Sequence, residues 1–126
     1  LSTPDWKPVA MRPYIYPKGS ALGWHRDNHS LYVGAFVYYP HPSWHMDFGG
    51  ELMVAETLEP ETFPVMPHRF DSYDFDEALS EGGIGHYISP KPNRLVIVGN
   101  QPHRVAPVRD SAGIHSRASV AGFFMR

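Results

Sequence analysis

The sequence predicts a mainly-β fold, a sandwich or barrel, and three observations predict it. Thirteen prolines and eleven glycines divide 126 residues into short pieces that leave little room for long helices. Between these breaks lie runs rich in β-branched and aromatic residues, the composition of strands. A hydrophobic content of 42% is enough for a packed core. Many short strands joined by Gly/Pro turns bury their apolar faces best in two layers or a closed barrel.

In chain order, Val9 to Tyr16 is the first β-rich run, and Pro13 confines it to an edge or a strand start. Leu31 to Tyr39 is the clearest strand. Glu51 to Ala55, Arg94 to Val98, Arg104 to Val108 and Ser119 to Met125 are further strand candidates. One short helix is predicted, over Asp74 to Ser80. The stretch Glu56 to His86 differs in character. It holds eight of the thirteen acids (Glu56, Glu59, Glu61, Asp71, Asp74, Asp76, Glu77 and Glu81), one arginine, and aromatics at Phe63, Phe70, Tyr73 and Phe75. It reads either as a solvated acidic insertion or as a lid over an active-site mouth.

Residues 1–126 are expected to form one domain. The first residue is Leu1 rather than Met, so a core fragment or a processed form is expected. A net charge of −2 gives no support for a nucleic-acid partner. No apolar run of about 18 residues is present, so no membrane span is expected, and no signal peptide is seen. The absence of cysteine excludes disulfides, Fe–S clusters and a thiolate nucleophile. It also fits a reducing compartment, and a cytoplasmic location is expected. Composition says nothing of oligomeric state.

Two separated stretches carry metal-ligand chemistry. His25 and Asp27 form a His-x-Asp pair, and His103 stands alone in Gln101-Pro102-His103-Arg104-Val105. Two imidazoles and one carboxylate suit non-haem Fe(II) with open coordination positions. On a strand, residues i and i+2 face the same way, so His25 and Asp27 would project together and Arg26 would oppose them. The spacing alone leaves alternatives. His45 and Asp47 form a second His-x-Asp pair, in a proline-rich segment that reads as a loop. His29 would permit a zinc-type His-x-Asp-x-His face instead.

Six pieces in order resemble the Fe(II)/2-oxoglutarate dioxygenases, in particular their prolyl 4-hydroxylase-like branch. They are Tyr16 to Asp27, Leu31 to Pro40, Gly49-Gly50-Glu51-Leu52, Pro90 to Val98, Pro102 to Val108, and Arg117-Ala118-Ser119. Together they span Tyr16 to Phe124. The resemblance implies a double-stranded β-helix, or jelly-roll, core. It also implies His25, Asp27 and His103 as Fe(II) ligands, because a full strand must separate His-x-Asp from Gly-Gly-Glu-Leu and only His25 leaves room for one. Three departures stand out. The gap from His103 to Arg117 is longer than usual, with Asp110 to Gly113 as a turn insertion. Asn93 replaces a frequent Gly. The family's helices before the barrel are largely missing ahead of Val9.

The implied activity is oxidation, most often hydroxylation, of a small-molecule or peptidyl substrate. It consumes O2 and the cosubstrate 2-oxoglutarate and yields succinate and CO2, with ascorbate as an accessory reductant. Arg117 is expected to pair bidentately with the cosubstrate's C5 carboxylate. Ser119 shares its side of the strand and adds a hydrogen bond. Tyr39, with Tyr38 facing away, and Tyr16 are further candidates for this cosubstrate pocket. Leu52 is expected as an apolar wall, and the retained carboxylate at Asp27 favours oxygen insertion over halogenation. Trp24 and Trp44 are candidates for the substrate mouth, although buried packing is the more common fate of Trp. Arg26 and Arg104 are expected to face solvent, and His29, His41, His68, His86 and His115 to be surface or loop residues. Two other readings compete: another jelly-roll metalloenzyme, cupin-like or a zinc hydrolase, and a non-catalytic binding module.

Overall fold

The computed structural model describes residues 7–27, 30–56, 79–99 and 101–126. Eight strands run β1 (Val9–Tyr16), β2 (Leu22–His25), β3 (Tyr32–Tyr38), β4 (Leu52–Ala55), β5 (Gly85–Ile88), β6 (Leu95–Val98), β7 (His103–Val105) and β8 (Arg117–Met125). They form two four-stranded sheets in the orders β1-β8-β3-β6 and β2-β7-β4-β5. Every pairing is antiparallel. Apart from the β4–β5 hairpin, each connection passes from one sheet to the other. That alternation is a jelly-roll, or double-stranded β-helix, the form of the expected sandwich or barrel that the family resemblance implied.

Local sequence explains the positions. β1 is an edge strand, so Pro13 removes no donor that a second neighbour would need. β8 is central to its sheet, paired on one side with β1 and on the other with β3, and its alternate residues Arg117 and Ser119 are buried. Leu52, Val54 and Val98 form the buried core, with Val37, Ile88 and Val96 packed against them. This core lies between β3–β6 and β4–β5. Between β1–β8 and β2–β7 the sheets instead enclose a cavity of about 240 Å³.

Several expectations shift. β7 begins at His103 and ends at Val105, earlier and shorter than the run Arg104 to Val108. β8 begins two residues before Ser119. β5, within and just beyond the acidic stretch, was not foreseen. Most of the helix expected over Asp74 to Ser80 lies outside the described residues; residues 79–82 are helical. His29, His68 and the aromatics Phe63, Phe70, Tyr73 and Phe75 also lie outside them. Asp110–Ala112 forms a 3-10 turn ending at Gly113, where the extra residues before Arg117 were expected. Asn93 has φ 61°, a left-handed conformation that Asn tolerates better than most residues, so it takes the place of a glycine there.

Leu52 is 1% exposed and sits where the core meets the cavity. Leu52→Ala should lower the unfolding free energy by about 2–4 kcal/mol, the usual cost of an aliphatic truncation in a packed core. Urea denaturation followed by circular dichroism checks this.

Candidate metal centre and anion anchor

His25 ends β2 and His103 opens β7, and the two are direct partners across the antiparallel ladder. Directly opposed residues project to the same face. Their rings accordingly meet, with centroids 4.3 Å apart. β2 stops at His25, so Asp27 lies beyond the strand rather than on it as expected. Its carboxylate nonetheless closes on both rings. Oδ2 is 3.1 Å from His103 Nε2 and Oδ1 is 3.7 Å from His25 Nε2. Among the described residues this is the one group of three or more potential metal-ligating side chains, with donor atoms all within 4.8 Å of one another.

The ring orientations were not visible in the sequence. His25 Nδ1 lies 2.8 Å from the Gly23 carbonyl oxygen, and His103 Nδ1 lies 2.8 Å from that of Gln101. A carbonyl only accepts, so each Nδ1 carries the hydrogen and each Nε2 presents its lone pair toward Asp27 in the neutral ring. This is how metal-binding imidazoles are commonly fixed. The donor set therefore fits a divalent metal such as Fe(II). Burial, with His103 alongside, pushes the pKa of His25 below the usual histidine value, against the pull of the Gly23 carbonyl and Asp27. Burial acts the same way on His103, but its hydrogen bond with Asp27, the Gln101 carbonyl and the charge of Asp27 together outweigh it and raise its pKa.

Across the cavity, Arg117 is 2% exposed. Its Nε donates to the Gly50 carbonyl at 2.7 Å, Nη2 to the Tyr39 hydroxyl at 3.2 Å, and Nη1 to Ser119 Oγ at 3.4 Å. The guanidinium carbon lies 5.3 Å from the Tyr16 ring centre and 5.1 Å from that of Tyr39. No carboxylate among the described residues pairs with it. Burial lowers its pKa and raises those of Tyr39 and Tyr16, with attraction between the cation and the phenols opposing each shift. A guanidinium has five N–H donors and stays charged in proteins, so this is a buried cation with donors to spare.

All seven predicted residues are thus brought to one place. His25, Asp27, His103, Arg117, Ser119 and Tyr16 line the cavity, and Tyr39 stands behind Arg117. Leu52 walls the cavity, as expected. Tyr38 turns away and donates to Asn93 Oδ1 at 2.9 Å. Tyr14 also lines the cavity and was missed; its position two residues before Tyr16 on one strand was the available signal.

Other expectations are corrected. His41 lies in a loop, as one of the two expected placements had it, but is buried there and stacks between Tyr39 and Trp44. Trp44 is absent from the cavity lining and donates from Nε1 to the Gly49 carbonyl. Trp24 lies outside the cavity too, under the Arg104 guanidinium. Arg26 and Arg104 are half-buried rather than solvent-facing, because the outer face of the second sheet packs Arg104 against Trp24 and the Met53 sulfur. His45 and Asp47, by contrast, lie exposed outside the metal cluster as expected, and His45 Nδ1 caps the 3-10 turn Met46–Phe48 through the Asp47 amide.

Residues 11–125 match the 2OG-Fe(II) oxygenase superfamily, and the chain belongs to that family. Its fold is similar to that of a Pseudomonas putida prolyl-4-hydroxylase, at 22% identity and a TM-score of 0.64. The match covers 94% of this chain and 51% of that protein, so the chain spans about half of its length. No curated protein matches the chain.

Gly50 makes the anchor possible. Its φ is +72°, and an added Cβ would stand 2.8 Å from Arg117 Cδ. Gly19, at φ +86°, has nothing within 4 Å of the same position. Gly19→Ala should cost about 1–2 kcal/mol for the left-handed backbone alone. Gly50→Ala should cost clearly more, since Arg117 must also move. Parallel urea melts of the two variants check the difference.

Proposed function

We propose that residues 1–126 are the catalytic domain, or its core, of an Fe(II)/2-oxoglutarate-dependent dioxygenase. It would oxidise, most often by hydroxylation, a small-molecule or peptidyl substrate. One observation carries the reading: a buried arginine, paired with no carboxylate among the described residues, shares a cavity with a two-histidine, one-carboxylate cluster. A hydrolase or cupin-like isomerase needs a metal site but has no use for a second, buried anion anchor. A binding module has no need of the metal cluster.

In this reading His25 Nε2, His103 Nε2 and one Asp27 oxygen hold the metal, a ligand set that leaves positions open toward the cavity. Fe(II) and 2-oxoglutarate supply, when bound, the O2-dependent oxidising chemistry that the protein's own side chains lack. Arg117 pairs with the C5 carboxylate of 2-oxoglutarate through its remaining N–H groups. The Tyr39 and Ser119 hydroxyls, already bonded to the guanidinium, hold it in orientation, and Ser119, which lines the cavity, lends a donor of its own. Tyr16 covers one face of the cation. Leu52 and Val105 provide buried apolar wall that excludes water and strengthens the ion pair. Ascorbate belongs in the assay as a reductant.

Two outcomes test this. Anaerobic Fe(II) together with 2-oxoglutarate should give a visible charge-transfer band and, on admission of O2, succinate; His103→Ala should abolish both. Well-folded protein that gives no band refutes the reading. Arg117→Ala should weaken 2-oxoglutarate binding by at least about 1.5 kcal/mol, the low end for a charge-assisted hydrogen bond. Calorimetric titration measures this, and unchanged affinity removes Arg117 from the role.

A further inference from the structure

Two cavities meet on the inner face of the β1-β8-β3-β6 sheet. The first holds the metal cluster and Arg117. A second, of about 300 Å³, shares the walls Tyr14, Ala121 and Phe123 with it and reaches Arg12 and Tyr32. Arg12 pairs with Ala121 across the β1–β8 ladder, as Tyr14 pairs with Ser119 and Tyr16 with Arg117. Opposed residues share a face, so Arg12 lies on the same face as Arg117. The two arginines bracket it, four residues apart along the ladder, or about 13 Å of strand.

Their surroundings differ. Arg117 is enclosed and held by three hydrogen bonds. Arg12 is exposed and makes no hydrogen bond, ion pair or ring contact among the described residues. Apart from the metal cluster and Arg117, it is the one charged side chain among the described residues lining either cavity. Beside it the rings of Tyr32 and Phe123 stack at 4.0 Å and 4°. The outer cavity therefore combines one uncommitted cation with a flat aromatic wall.

In the reaction proposed above, Arg117 is engaged by the cosubstrate, and the substrate must occupy the space that remains. Resting on that reading, we propose that Arg12 and the Tyr32–Phe123 stack form an outer substrate subsite. It takes a substrate bearing a carboxylate next to an aromatic or apolar body, with the carbon to be oxidised directed inward past Tyr14. A guanidinium presents paired donors to a planar carboxylate and a single neutral amide matches them less well.

The test uses protein loaded anaerobically with Fe(II) and 2-oxoglutarate, loading being read from the charge-transfer band. Phenylacetate and its neutral analogue phenylacetamide are then titrated calorimetrically. Phenylacetate should bind roughly threefold or more tightly at low ionic strength, the range of an exposed ion pair. The preference should shrink with added salt, disappear in Arg12→Gln and persist in part in Arg12→Lys. Equal affinities, no binding of either probe, or a preference that survives in Arg12→Gln overturns the proposal. Failure of the band to form is a separate result: it refutes the dioxygenase reading itself, and this inference with it.

Discussion

A buried guanidinium with no carboxylate beside it among the described residues sets the terms for much of this structure. Removing a charge from water costs several kcal/mol even after relaxation. Around Arg117 that cost is offset by the Gly50 carbonyl, two hydroxyls and two aromatic faces. These come from β1, the end of β3, the segment before β4, and β8. Four distant parts of the chain are thus fixed around one group. None of them neutralises it, so the site favours any anion that reaches the spare donors.

The second sheet solves a different problem with a simpler device. The antiparallel register sets His25 against His103, and each ring is fixed by a carbonyl two residues earlier in its own chain. The same local arrangement occurs twice, once on each of two paired strands. Metal-type ligands come from the β2–β7 side and the anion anchor from β8. The cavity between them stays open because the apolar core gathers at the other end, under β3–β6 and β4–β5.

Legibility in the sequence followed the physics of each element. Val9 to Tyr16 was readable to the residue because a long β-rich run flanked by Pro17 and Gly19 admits few alternatives. β5 was not, because Gly-His-Tyr-Ile is short, mostly exposed and adjoins the acid-rich stretch. The chemistry-bearing residues were readable from residue type and order. Their geometry was not: Asp27 leaves the strand that was expected to carry it, and local spacing cannot report a bond to a backbone carbonyl. His41 was misread because Pro40 and Pro42 mark a loop, and a loop residue is buried only when tertiary contacts close over it.

Those contacts around His41 form a closed circuit. Arg117 donates to Tyr39, Tyr39 stacks on His41, and His41 stacks on Trp44. Trp44 donates to the Gly49 carbonyl, and the next carbonyl, that of Gly50, accepts from Arg117. Neither ring nitrogen of His41 finds a partner among the described residues, which costs about 1–3 kcal/mol for an unsatisfied group. Burial first, and the nearby Arg117 cation with it, lower the pKa of His41 despite its own backbone. A protonated ring there would add a second charge next to one that already lacks a counter-ion. His41 therefore serves as a neutral, flat spacer, and the loop from Tyr39 to Gly50 behaves as a frame whose two ends grip the same guanidinium. The circuit around the anchor thus runs through a residue that belongs to neither the metal cluster nor the cavity lining.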